Sequence, residues 1–256
     1  MTAKSTIILA ATLLAAAFAV GGPARAQSMS PTQRAEIETV IREYLIAHPE
    51  VLQEAMAELE KRQNLAEAEK ARSAISRFSS ELFESPRNVV VGNPQGDVTM
   101  VEFFDYNCGY CKRAMNDMME LLKSDPKLKI VLKEFPVLGP GSVEAAQVAV
   151  AVRMQDKTGK KYLDFHQKLL SGRGQADKAR AMAAAKEAGL DMARLEKDMA
   201  TDEIRQTLQE NFKIAEGLGL NGTPSYVIGS DLVIGAVGLA ALKEKIAGAR
   251  CGKTTC

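Results

Sequence analysis

Four cysteines occur in the 256 residues, Cys108, Cys111, Cys251 and Cys256, and they fall into two close pairs where a disulfide scaffold would spread them through the chain. In Cys108-Gly109-Tyr110-Cys111 the two thiols lie within one helical turn if a helix begins there. Unpaired N–H groups and the dipole at a helix start favour a thiolate, so Cys108 is the expected attacking sulfur and Cys111 the resolving one. Lys112 and Arg113 add positive charge close by. The same spacing also supplies half of a zinc site, with Cys251 and Cys256 as the imaginable other half. A strand-to-helix setting for the first pair, and a glycine- and threonine-containing tail for the second, favour redox chemistry over zinc. Cys251 and Cys256 enclose four residues. A local structural disulfide is the simplest reading of them, with a second redox pair or a copper-binding motif as alternatives.

A second element, Thr223-Pro224, follows Cys111 by 224 − 111 = 113 residues and immediately precedes a strand-like run. It is a candidate cis bond that would leave the backbone of Thr223 free to pair with an extended substrate peptide. Met118 and Met119 could serve a soft metal together with the thiolates, but at helical spacing they read first as core. His166 reads as a packed helix residue before a catalytic base, and His48 as a turn residue ahead of Pro49.

The elements that position these residues follow from periodicity. Val98 to Tyr106 reads as a buried strand that ends just before Cys108, and from Cys111 the apolar residues Ala114, Met115, Met118, Met119 and Leu122 recur at helical spacing until Asp125-Pro126. Val89 to Val91 and Leu128 to Phe135 read as further strands. Several helices then occupy residues 139–216, more than one crossover needs. Ser225 to Ile228 and Leu232 to Ala236 form a hairpin, and Leu239 to Ile246 a last helix. The order is strand-helix-strand, a helical insertion, then strand-strand-helix.

Ahead of this lies a helical segment. Ser30-Pro31 is a helix start, Ile37, Val40, Ile41, Tyr44 and Leu45 form one stripe, His48-Pro49 interrupts it, and Val51, Leu52, Ala55, Met56 and Leu59 begin another. Between Gln63 and Arg77 the stripe thins to alanines. Such a segment either self-associates or packs on its own domain, and the sequence does not separate the two.

Lys4, the apolar run Ile7 to Val20 and Ala24-Arg25-Ala26 form a secretory signal pattern cleaved after Ala26. The run is shorter than the roughly 20 residues that cross a bilayer. With 33 basic against 32 acidic side chains there is no field to attract nucleic acid. The expected organisation is a signal peptide at residues 1–26, a helical extension at 27–84, the main domain at 85–250 and a tail at 251–256.

The stretch Val101-Glu102-Phe103-Phe104-Asp105-Tyr106-Asn107-Cys108-Gly109-Tyr110-Cys111-Lys112, the helical insertion, and Gly222-Thr223-Pro224-Ser225 resemble the DsbA family of bacterial thiol-disulfide oxidoreductases. The match spans about Asn88 to Ala247 and is most similar to the ScsC-like branch. That branch carries an N-terminal helical extension resembling Ser30 to Ser80, associated with oligomerisation in some members. The resemblance implies an α/β, thioredoxin-like fold with an inserted helical subdomain, catalytic Cys108 and Cys111, and a cis peptide at Thr223-Pro224. Glu102 resembles the buried carboxylate that shuttles protons beneath such sites, although on its strand it could equally face solvent. The strongly oxidising members carry Pro-His where this chain has Gly109-Tyr110, so a milder redox value is expected. The implied protein is periplasmic and needs no organic cofactor. It acts on partially folded exported proteins as disulfide oxidase or isomerase, exchanges electrons with a membrane redox partner, and forms a homo-oligomer through its N-terminal helices. A Cu(I)-binding protein using the same thiols is the rival, since the branch is linked to copper tolerance.

Overall fold

The computed structural model describes residues 29–256; the expected signal peptide lies outside them. The chain divides into two compact units, one ending at Leu59 and the other running from Glu60 to Cys256. In the first, α1 (Pro31–Ala47) starts with a capping box in which the Ser30 hydroxyl and the Gln33 amide satisfy each other's backbone N–H. It stops at His48, as the proline at 49 requires. No residue of α1 is buried, and Val40, Tyr44 and Ile41 stand more than half exposed at 64%, 53% and 52%. α2 (Glu50–Arg77) buries only Ala74 and Ile75, and a short α3 (Ser79–Phe83) follows.

A five-stranded sheet forms the frame of the second unit, with β1 (Val89–Gly92), β2 (Val98–Phe104), β3 (Leu128–Glu134), β4 (Ser225–Ile228) and β5 (Asp231–Ile234) in the order β1-β3-β2-β4-β5. β2 and β3 are parallel, joined across α4 (Gly109–Ser124); the other pairs are antiparallel. Helices α5 (Pro140–Gln155), α6 (Lys160–Ser171), α7 (Lys178–Glu187), α8 (Met192–Met199) and α9 (Asp202–Gly217) lie between β3 and β4, and α10 (Leu239–Cys251) ends the set. α4 lies against one face of the sheet through Cys111, Ala114, Met115, Met118 and Leu121, spaced at i, i+3, i+4, i+7 and i+10. Met115, Met118 and Leu121 each contribute about 1.5–3 kcal/mol by leaving water. Met118 belongs to that core, at 1% exposure.

Both faces of the sheet are covered. Met100, Phe104, Ile130 and Leu132 meet α4, α5, α6 and α10, while Val101, Phe103 and Val131 meet Ala74, Ile75, Phe78, Leu82 and α9. Residues 74–82, expected to lie in the extension, therefore form part of the second unit's core, and the division at Leu59 falls well before the expected boundary at 84.

Candidate functional site

β2 ends at Phe104, and Asp105, Tyr106 and Asn107 turn the chain into α4, whose N-cap is Cys108. The Cys108 sulfur accepts from the Cys111 backbone N–H at 3.4 Å and, as a thiol, donates to the Thr223 carbonyl at 3.1 Å. The Thr223-Pro224 bond is cis. Cys108, Cys111, Thr223 and Pro224, distant in sequence, thus meet as the sequence reading expects. Both cysteines are free, Cys111 at 1% exposure and Cys108 at 5%.

The surroundings favour a thiolate on Cys108 alone. A hydrogen bond from the Cys111 thiol pulls its pKa down to about 5, helped by the Thr223 side chain and the N–H groups of Cys111 and Tyr110, against the opposing effect of burial. Cys111 is pushed far above the ordinary thiol range because its S–H donates a hydrogen bond to Cys108 and because it is buried. Lys112 donates to the Gly172 carbonyl at 3.2 Å, and Arg113 lies over the Tyr110 ring, 4.4 Å from its centroid. The neighbouring thiol and the N–H groups of the helix start are among the causes that lower the Cys108 pKa.

Glu102 points into the sheet's covered face, 4% exposed, opposite Tyr226 on β4 and Leu132 on β3. Burial, then the charges of Asp117 and Cys108, raise its pKa to about 8, so it keeps its proton at neutral pH. Once ionised, at higher pH, it in turn disfavours ionisation of Cys111. His166 is fully packed and neutral, its pKa lowered by burial to about 3, with Nδ1 3.1 Å from the Tyr106 hydroxyl. It belongs to a buried polar cluster with Tyr162 and Glu134.

Sequence reasoning assigned no role to Asp105 or Asn107. The Asp105 carboxylate, 1% exposed, accepts four hydrogen bonds: from Asn107 N–H and Ser142 Oγ at 2.7 Å each, Val137 N–H at 2.8 Å and Leu138 N–H at 3.0 Å. Asn107 donates to Ser142 Oγ and the Ala176 carbonyl at 2.9 Å and accepts from Ala176 N–H at 2.6 Å. Gly139, at φ +103°, lets the chain turn from Leu138 into α5 (Pro140–Gln155) beside this carboxylate. An Asp-x-Asn directly before the cysteines, in an otherwise apolar run, was the available signal.

Cys251 and Cys256 are bonded to each other, so they cannot complete a four-thiolate zinc set with Cys108 and Cys111. Thr254, Thr255 and Cys256 line a cleft with Leu121, Ser124 and Asp125, at the far end of α4 from Cys108. That helix is 16 residues long, which separates its ends by roughly 24 Å.

A family model described as DSBA-like thioredoxin domain matches residues 99–247, and one described as copper resistance protein ScsC N-terminal domain matches residues 33–66. Among solved structures, a thioredoxin-like oxidoreductase from Silicibacter pomeroyi is 42% identical, with a TM-score of 0.63 over 67% of this chain and 96% of its own. The thiol-disulfide exchange protein alpha-DsbA2 of Wolbachia pipientis is 32% identical, with a TM-score of 0.65 over 71% and 96%. Proteus mirabilis ScsC in a transitional conformation is 27% identical, with a TM-score of 0.64 over 88% and 100%. The chain spans about a quarter of the length of the curated relatives it matches; one, Na(+)/H(+) antiporter NhaA 1 of Salinispora arenicola, is 26% identical over 168 residues, which are 65% of this chain and 25% of that protein.

Proposed function

Since this chain belongs to the family of DSBA-like thioredoxin domains, we propose that it is a periplasmic protein thiol-disulfide oxidoreductase working through Cys108 and Cys111. The observation that carries the reading is the Cys108 sulfur, its pKa lowered to about 5, lying 3.1 Å from the carbonyl of Thr223 beside cis Pro224. In the oxidised protein a client thiolate attacks Cys108 Sγ, the bond to Cys111 breaks, and the electron pair leaves on Cys111. Cys111, poorly stable as an anion, takes up a proton, and Glu102 is the buried acid with one to give. A second client thiolate then attacks the client sulfur of the mixed disulfide and expels Cys108 as a stable thiolate. The client has gained a disulfide and the protein two electrons, which a membrane redox partner would remove. Run from the reduced protein, the Cys108 thiolate opens a mispaired client disulfide, the first step of isomerisation.

Isomerisation profits from several sites on one assembly, and the first unit supports one. Ile37, Val40, Ile41, Tyr44, Leu52, Met56 and Leu59 are 44–71% exposed, an apolar surface that other copies of this chain would cover. Residues 33–66 of this segment are the ones that match the ScsC N-terminal domain. The description of that domain by copper resistance also favours a second reading, Cu(I) held by the two reduced thiols. Turnover decides: an oxidoreductase reduces insulin and refolds scrambled ribonuclease without copper, whereas a pure metal carrier does neither. Light scattering on the full chain tests the assembly, and a monomer would reject it.

A further inference from the structure

We infer that Asp105 and Asn107, with Ser142, form a positioning strap that locks the loop before Cys108 to the helical insertion and so aims the attacking sulfur; this rests on the redox reading of the Cys108 site. Asp105 is a buried carboxylate with no cation among its hydrogen-bond partners, satisfied by four donors. Such a group is costly to bury unless it is fully hydrogen-bonded, and a fully satisfied buried network rigidifies what it joins. Two of the donors are backbone N–H groups of the β3–α5 connection, one is the hydroxyl on the first turn of α5, and one belongs to the loop itself. The other side of the strap is the Asn107 amide, which pairs with both backbone groups of Ala176 just before α7 (Lys178–Glu187).

The strap reaches the sulfurs through the backbone. The Asp105 carbonyl accepts the Cys108 N–H at 3.1 Å, and the Asp105 backbone works against the raised pKa of Cys111. A residue with side-chain bonds to the insertion and a main-chain bond to Cys108 fixes where α4 starts relative to Thr223. The Cys108 thiolate depends on that register, since its stabilising partners are the Cys111 thiol, the Thr223 side chain and two N–H groups of the helix start. A loosened loop lets the sulfur swing toward water and lose them. Glu102 and Asp117 are acids coupled to this site, and Lys112 and Arg113 are engaged elsewhere.

Ser142→Ala and Asn107→Ala cut the strap without changing any charge, so a moved thiolate titration in them reports position. Gln155→Ala is the control. It removes a comparable two-bond amide strap, from the other end of α5 to Asp191. In the full-length reduced protein, the ultraviolet thiolate midpoint is expected to rise by about one pH unit in Ser142→Ala and Asn107→Ala. The equilibrium with glutathione should shift about tenfold toward the protein disulfide at neutral pH, because the reduced state loses the stabilised anion. Gln155→Ala should leave both at wild-type values. Unchanged midpoints accompanied only by a lower Tm, or an equal shift in Gln155→Ala, would overturn the strap. If Asn107→Ala does not fold, Ser142→Ala decides alone, since it deletes a single hydroxyl. A wild-type chain that exchanges no disulfides, yet whose midpoint still moves with Ser142, would reject the proposed activity and leave the strap standing.

Discussion

The two cysteine pairs have similar spacing and opposite surroundings. Cys108 caps the start of α4, where a thiol, a hydroxyl and backbone N–H groups face its sulfur. Cys251 is the last residue of α10, where helix carbonyls are left over, and the Cys256 sulfur lies 3.3 Å from the Ala247 carbonyl oxygen. A helix start stabilises a thiolate and a helix end opposes one. Exchange needs a thiolate that can attack and leave, so the first pair is built to cycle and the second to stay closed. Spacing makes a cysteine pair, and the helix end it occupies decides what the pair can do.

The largest expected effect tests that division. Cys108→Ser should lower insulin reduction by at least ~10³-fold, because no covalent route remains, and Cys111→Ser should accumulate client mixed disulfides detectable on non-reducing gels. Cys251→Ala/Cys256→Ala should leave turnover at the wild-type level. An active Cys108→Ser protein would break the comparison outright.

Glu102 sharpens it through pH. Its carboxyl titrates near 4.5 when unfolded and about 8 when folded, so between those values the native state binds more protons and stability falls as pH rises. The difference of about 3.5 units corresponds to at most about 5 kcal/mol. Glu102→Gln should flatten the decline, measured by denaturant melts of the oxidised protein from pH 5 to pH 8; an unchanged slope would remove Glu102 from the buried acid role. In the reduced protein the lowered Cys108 pKa acts with the opposite sign. Stability is gained as pH rises from about 5 toward 9, so the reduced form should gain stability relative to the oxidised form with increasing pH, whereas the closed tail pair contributes no such gain.

Truncation separates the extension's two parts. Deletion through Leu59 should leave a folded, redox-active protein with reduced isomerase activity, because reshuffling profits from neighbouring sites. Deletion through Ser80 also removes Ile75 and Phe78 from the sheet's second face, a loss of about 3–5 kcal/mol for Phe78 alone; equal melting midpoints for the two truncations would contradict that packing. The smallest effect belongs to the tail. Opening a loop closed by residues five apart should cost about 2 kcal/mol, seen as a shift in thermal midpoint of Cys251→Ala/Cys256→Ala with unchanged thiol chemistry at Cys108.

Much of this site was legible in the sequence, because its parts announce themselves locally. The strand ending before Cys108, the helix beginning there and the proline ahead of a strand each carry their own pattern. Glu102 was ambiguous for a physical reason: alternation along β2 tells two faces apart, but both faces of this sheet are buried, so neither parity means solvent. Asp105 and Asn107 gained meaning from partners far along the chain: Ser142 lies 37 residues from Asp105 and 35 from Asn107, and Ala176 lies 69 from Asn107. Ala74 and Ile75 fall in the stretch from Gln63 to Arg77, where an alanine-thinned stripe gives little periodic signal, yet they pack with Phe78 and Leu82 against the sheet.

The most direct test of the central claim is an ultraviolet thiolate titration of the fully reduced protein, with alkylated peptides mapped at each pH. The account predicts that Cys108 ionises first, with a midpoint near 5, and that it is alkylated before Cys111, Cys251 or Cys256. A Cys108 midpoint near 9, or a tail cysteine labelled before Cys108, would contradict it.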